Sequence, residues 1–221
     1  MKAVNVLRAA SFRSFGPRLF DSVMIASLIE SVKAKYHFER ASTAEESSQK
    51  PTSFESGEVK RGGESIAIEQ LQVIYVGIAT TSIAASTRTS TDDSDFFLDD
   101  LVEWAAKKYR LDVQERYARA YSSALECVFD KSIIGHFKEL SEIGRGITTL
   151  VREYSLKSCP DYQPEGFSLH FELDPSLIPS PISFTVQRRI GHPYKENKYF
   201  SVAPLKTQDH KSVLERLEKL L

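Results

Sequence analysis

The sequence predicts an α+β protein with a mostly antiparallel sheet of about six to eight strands and about four helices packed mainly on one face. Three observations carry this prediction. Apolar residues alternate with a period of two through residues 54–88 and again through 167–173 and 182–188. Elsewhere the period changes to the three-and-four spacing of an amphipathic helix. The strand segments also follow one another through glycine- and proline-marked turns, as in an antiparallel meander with one wet face.

The elements follow in order. Val4-Asn5-Val6 alternates as a first strand would. Ile25, Leu28, Ile29, Val32 and Tyr36 form one stripe, so a helix is expected from about Asp21 to Tyr36. The polar stretch at about 41–53 has no large apolar side chain and is expected to be a mobile loop, with a capping box between Ser42 and Glu45. Phe54–Lys60 and Ser65–Val76 read as strands joined by Arg61-Gly62-Gly63. Ile66 and Ile68 are out of phase with Val73 and Tyr75, which predicts a bulge near Gln70-Leu71. Ile78–Arg88 supplies a third strand.

Ser90-Thr91-Asp92-Asp93 opens a second helix, to about Tyr109. Residues 117–129 suit both periods; Tyr117, Tyr121 and Cys-Val-Phe favour a strand. A third helix is expected from about Ser132 to Tyr154, with Gly144 and Gly146 marking a kink or a close backbone approach. Phe167–Leu173 and Ile182–Arg188 alternate as strands, Tyr199–Val202 reads as a short partner, and Thr207 caps a last helix. No internal repeat is evident. The strand from Ile66 to Val76 is long enough to invite edge pairing, hence self-association.

The chain has 221 residues and a mass of 24.9 kDa, the size of one domain. A fold of this mass buries roughly 70% of its extended surface, enough for a core without disulfides. The 29 basic and 30 acidic side chains nearly cancel, so there is no global attraction for nucleic acid or an anionic membrane. Cys127 and Cys159 are too few for a disulfide framework or a zinc site, and reduced thiols fit a cytoplasmic location. No apolar run is long enough to span a membrane. Residues 1–20 carry Lys2, Arg8, Arg13 and Arg18 without an acid, so a mitochondrial matrix location is the alternative if they are a transit peptide.

Two groups of residues invite a chemical reading. Asp92, Asp93 and Asp95 are three carboxylates within four residues, a pattern that can hold Mg²⁺ or Mn²⁺ for phosphate chemistry. The ordinary explanation is that acids in a first helical turn complement the backbone dipole, with Ser90 and Asp93 as an acidic capping box. The second group is Arg188, Arg189, His192, Tyr194, Lys195 and Lys198, where cations and tyrosines can grip phosphates and stack on a base. Its ordinary explanation is a solvated hairpin connection with charged edges.

His37, His136, His170, His192 and His210 show no metal-ligand spacing. Gly144-Arg145-Gly146 lacks the third glycine of a dinucleotide fingerprint, because position 149 is Thr. There is no phosphate loop, serine nucleophile elbow or reactive-cysteine context. No catalytic residue and no cofactor are assigned. The leading expectation is a non-catalytic binding or assembly protein that self-associates or joins a larger complex. The alternatives are a metal-dependent enzyme acting on a phosphate-containing substrate and a nucleic-acid-binding module using the 188–199 loop.

Overall fold

The computed structural model describes residues 1–15, 25–42, 51–76, 80–110, 118–133, 137–154, 161–170 and 182–220. Its frame is a nine-stranded antiparallel sheet, one strand more than the upper expectation. In chain order the elements are β1 (Ala3–Phe15), α1 (Ile25–Lys35), β2 (Arg40–Ala41), β3 (Thr52–Arg61), β4 (Glu64–Val76), β5 (Thr80–Thr87) and α2 (Thr91–Tyr109). Then follow β6 (Ala118–Val128), α3 (Lys138–Tyr154), β7 (Gly166–Leu169), β8 (Phe184–Arg188), β9 (Lys198–Ala203) and α4 (Thr207–Leu220). No described helix is long and apolar enough to cross a membrane.

The order across the sheet is β2-β3-β4-β5-β1-β6-β9-β8-β7. β1 and β6 lie side by side at its centre, and the flanking strands repeat one sequence of events. In each half a central strand leads to a helix, then to a meander that returns toward it, then to a second helix. The first half runs β1-α1-β2-β3-β4-β5-α2 and the second β6-α3-β7-β8-β9-α4. The registers match as well: Ala9 of β1 faces Thr87 of β5, and Ser123 of β6 faces Ala203 of β9. A duplicated architecture therefore stands where the sequence showed no repeat. Its halves share backbone plan and strand parity but not side chains.

Each half has its own core. Phe54, Ile68, Leu71, Ile83, Phe97 and Leu98 are fully or almost fully buried in the first, between α1, α2 and β3–β5. Leu125, Cys127, Phe129, Val186, Tyr199 and Leu214 fill the second, under α4. Burying one such aliphatic or aromatic side chain contributes about 1.5–3 kcal/mol, so the two clusters are the main source of stability. Burial also raises the Cys127 thiol to about 12, and it stays protonated.

The Gly62-Gly63 turn between β3 and β4 has φ values of +60° and +93°, the left-handed backbone that a two-residue hairpin needs. Ile68 and Leu71 both enter the first core although three residues apart, so β4 changes face between them. Across from this point Ser56 of β3 has φ +56°. Residues 118–128 are a strand, and Ser90 caps α2 by accepting the Asp93 amide at 3.1 Å.

Some expectations need correction. β4 is not an edge strand; it lies between β3 and β5, and the sheet ends on the two-residue β2 and the four-residue β7. The edge-pairing argument for self-association therefore falls. The third helix begins at Lys138, and Ile133 is instead a buried residue of the second core. Arg18, the start of the first helix at 21–24, the loop segment 43–50 with its capping box, Ile78, Tyr117, His136, Cys159 and the strand residues 171–173 lie outside the described residues. At the loop's ends, Ser42 and Ser53 are joined by an amide-to-carbonyl bond of 2.8 Å.

Candidate functional site

Each of the three acids that open α2 is directed to its own set of partners. Asp92 reaches Lys206 at 3.4 Å. Asp93 accepts from Ser90 Oγ at 2.8 Å and pairs with Arg61 at 3.2 Å. Asp95 turns inward, to the fully buried Arg13 at 2.5 Å, Arg119 at 3.5 Å and the Tyr121 hydroxyl, which donates to it at 3.1 Å. Asp99 joins the same network through Arg13 at 3.3 Å and Arg119 at 3.5 Å. The acids thus serve the helix start and a buried guanidinium. Among the described residues no three His, Cys, Asp or Glu side chains converge as a metal site would require.

The second group does come together as a hairpin, between β8 and β9. Arg188 lies 4.0 Å from the Tyr194 ring centroid and 5.5 Å from that of Tyr199. It donates to the Tyr194 carbonyl at 2.9 Å and the Ser132 hydroxyl at 3.4 Å. Arg189 and Lys198 both bind Glu126, at 3.2 and 3.0 Å. The bond from Lys198 holds the Glu126 carboxyl below its ordinary range, with Asn5 and Arg189 adding to the effect. His192 pairs with Glu196 at 2.9 Å. Lys195 is the one cation of the hairpin without a partner among the described residues.

These two groups do not share a cleft. The acidic network touches β6 at Arg119 and Tyr121, whereas the hairpin lies beside Glu126 to Val128. Tyr121 and Glu126, the nearest contacts of the two groups on this strand, are separated by five steps, or roughly 17 Å at about 3.3 Å per residue. Arg119 and Tyr121 share strand parity with Leu125 and Cys127 toward the helices, as does Arg188 beside Tyr199, whereas Glu126 points away with Arg189 and Lys198.

His210 has a role that sequence reasoning missed. It is fully buried on α4, with Ser123 of β6 and Ser201 of β9 on either side. The Ser201 hydroxyl donates to the Thr185 carbonyl at 2.7 Å, so the imidazole Nε2–H donates to Ser201 at 2.8 Å. Nδ1 then accepts from Ser123 at 2.6 Å. Burial pushes the imidazole down to about 4, and it is neutral at physiological pH. A serine bonded to a histidine resembles an activated nucleophile, yet all three side chains are closed to solvent. The trio fastens α4 to the sheet. No sequence signal marked it, because its members are 78 and 9 residues from one another along the chain: 123, 201 and 210.

An open groove of about 470 Å³ runs beside β3 and β4, lined by His37, Glu39, Ser56, Glu58, Ser65 and Glu69 among others. His37 stands 3.7 Å from Glu58, Ser65 donates to the same carboxylate at 2.5 Å, and Arg88 holds Glu69.

An apolar row without a partner among the described residues lies on α3. Its small-residue face is used: Gly144 and Thr148 are buried against residues 161–163, where Thr148 Oγ1 accepts the Tyr162 amide at 2.8 Å. Beside that face run Leu140, Ile143, Ile147 and Leu150, exposed by 49, 59, 40 and 49%. Their spacing of three, four and three is that of a coiled-coil seam. The sequence carries this signal, but Leu140 and Ile147 also fall on one helical repeat with Gly144 and Val151, which reads as a single core stripe. The structure separates a buried ridge from an open one. No protein-family model matches the chain, and comparison with curated proteins finds no relative.

Proposed function

We propose that this chain is a non-catalytic binding or assembly protein that docks a protein partner on α3. The observation that carries the reading is the open seam of Leu140, Ile143, Ile147 and Leu150, four large apolar side chains each at least 40% exposed on one helix face. Isolated exposed apolar residues are common, but contiguous rows of them mark interaction surfaces. One further observation favours binding over catalysis: the acids of α2 and the hairpin cations Arg188, Arg189, His192 and Lys198 are engaged within the chain, in two separate networks.

The test uses a double substitution, Ile143→Asp with Leu150→Asp, on the full chain. Both positions are half exposed, so the fold should tolerate the change, with far-UV circular dichroism and Tm close to wild type. Native mass measurement and cross-linking should show wild-type association, with itself or with a co-purified protein, that the double variant loses. Association that survives the substitutions, or a wild-type chain that neither self-associates nor binds any helical peptide, overturns the reading.

A further inference from the structure

Building on the docking reading of α3, we infer that the occupant of its seam is a basic amphipathic helix of another protein. The spacing decides the shape. Anchors three, four and three residues apart are complemented by a helix carrying the same spacing, whose side chains enter the gaps between them. The seam from Leu140 to Leu150 is ten residues long, or about 15 Å of helix, so three turns of a partner cover it.

The rim decides the charge. One flank of the seam is closed by this chain's own residues 161–163, against which Gly144 and Thr148 are buried. The open flank carries Glu139, four residues before Ile143, and Glu153, three residues after Leu150, with Gly146 between them. Glu139 and Glu153 are exposed and have no ion-pair partner among the described residues. Glu142 lies behind them and meets Arg145 only at 3.8 Å. The cations of the helix, Lys138, Arg145 and Arg152, are on the far side, with Arg152 bound to Asp161 at 2.8 Å. A partner whose apolar row is bordered by Lys or Arg meets this rim favourably. A second copy brings the same acidic flank against itself in a two-fold interface, and an anionic membrane surface is repelled by it.

The experiment titrates the full chain with two synthetic helical peptides of identical leucine spacing, one bordered by lysines and one by glutamates. The lysine peptide should bind at least roughly tenfold more tightly, the factor that about 1.4 kcal/mol represents. High salt, or Glu139→Lys with Glu153→Lys, should erase the preference, and Ile143→Asp should abolish binding of both peptides. Melting curves of each variant confirm folding. Equal binding of the two peptides overturns the charge inference and leaves the docking reading standing. Self-association through Ile143 with neither peptide bound, or binding to phosphatidylcholine vesicles in preference to the peptides, overturns the inference in favour of a second copy or a membrane. Failure of every arm, self-association included, removes the docking reading as well.

Discussion

Thr91 and Thr207 cap each other. The Thr91 amide donates to Thr207 Oγ1 at 3.0 Å, and the Thr207 amide donates to Thr91 Oγ1 at 2.9 Å. They are the first residues of α2 and α4, both buried, at equivalent positions of the duplicated halves. First-turn amides have no partner inside their own helix, so each helix supplies what the other lacks. The exchange also ties the two halves together, beside the Asp92–Lys206 pair and the contacts of Asp95 with β6. Thr91→Val or Thr207→Val keeps the shape and strands one buried amide, at an expected loss of about 1–3 kcal/mol in urea unfolding. Because both substitutions break one exchange, the double variant should fall short of the sum of the singles. Additive losses would show that the two bonds act independently.

The His210 network makes stability depend on pH. Its native value is lowered from the ordinary 6.5 to about 4, so the folded state keeps the imidazole neutral while the unfolded chain takes up a proton below about 6.5. The stabilisation is complete above that pH and is lost as pH falls toward 4. Each tenfold change in proton affinity is worth about 1.4 kcal/mol, which makes the whole effect about 3 kcal/mol. Among the described residues the facing groups offer no carboxylate in bonding contact: Ser123 and Ser201 hold the ring, and Phe184 packs 6.0 Å from it. Unfolding measured at pH 7 and pH 4.5 should show a steeper acid loss in wild type than in His210→Gln, since carboxylate titrations are common to both. Equal slopes would place the histidine in contact with water.

How much of this was legible depends on range. Local patterns read well: the Gly62-Gly63 turn, the Ser90 cap and the change of face in β4 each rest on neighbouring residues. Pairing across the sheet was not readable. Near neighbours are the exception: the meander expected of residues 54–88 already sets Ser65–Val76 between two strands, as β3 and β5 do, so the edge-pairing expectation conflicted with it. The duplication was hidden for a related reason. Strand parity is kept between halves while Arg13 in β1 and Cys127 in β6, both fully buried on the helix side, could hardly differ more in chemistry. At α3 the apolar residues are plain in the sequence, but which side faces the chain is set by the contact of Gly144 with Tyr162, a tertiary fact.

Asp95 and Arg13 form the pair on which the start of α2 rests. Removing one member of a buried ion pair costs about 3–5 kcal/mol, whereas replacing both by apolar residues of similar volume costs less; here Asp99, 3.3 Å from Arg13, offsets part of the first loss. Asp95→Ala should therefore destabilise more than Arg13→Met combined with Asp95→Leu. With Asp92 and Asp93 also engaged by Lys206 and Arg61, millimolar Mg²⁺ or Mn²⁺ should leave the wild-type Tm unchanged. A saturating ion at about 100 times its Kd would add roughly 2.7 kcal/mol, which a melting curve would register. A rise in Tm that Asp93→Ala removes would revive the metal-dependent reading.

Two glycines of α3, two residues apart, should respond in opposite directions. In open helix either would gain about 1 kcal/mol on replacement by Ala. At Gly146 nothing lies within 4 Å of an added Cβ, and Gly146→Ala should realise most of that gain. At Gly144 the added carbon would stand 2.4 Å from the Tyr162 carbonyl oxygen. That oxygen belongs to a backbone tied to the helix, because Thr148 Oγ1 accepts the Tyr162 amide while donating to the Gly144 carbonyl at 2.9 Å. Overpacking of this kind costs about 1–3 kcal/mol, so Gly144→Ala should be destabilising on balance and should loosen the segment that closes one flank of the seam. Thermal unfolding of the two variants decides the matter. A gain at both positions would mean that α3 is not held against Tyr162, and the division of its surface into a used and an open ridge would not stand.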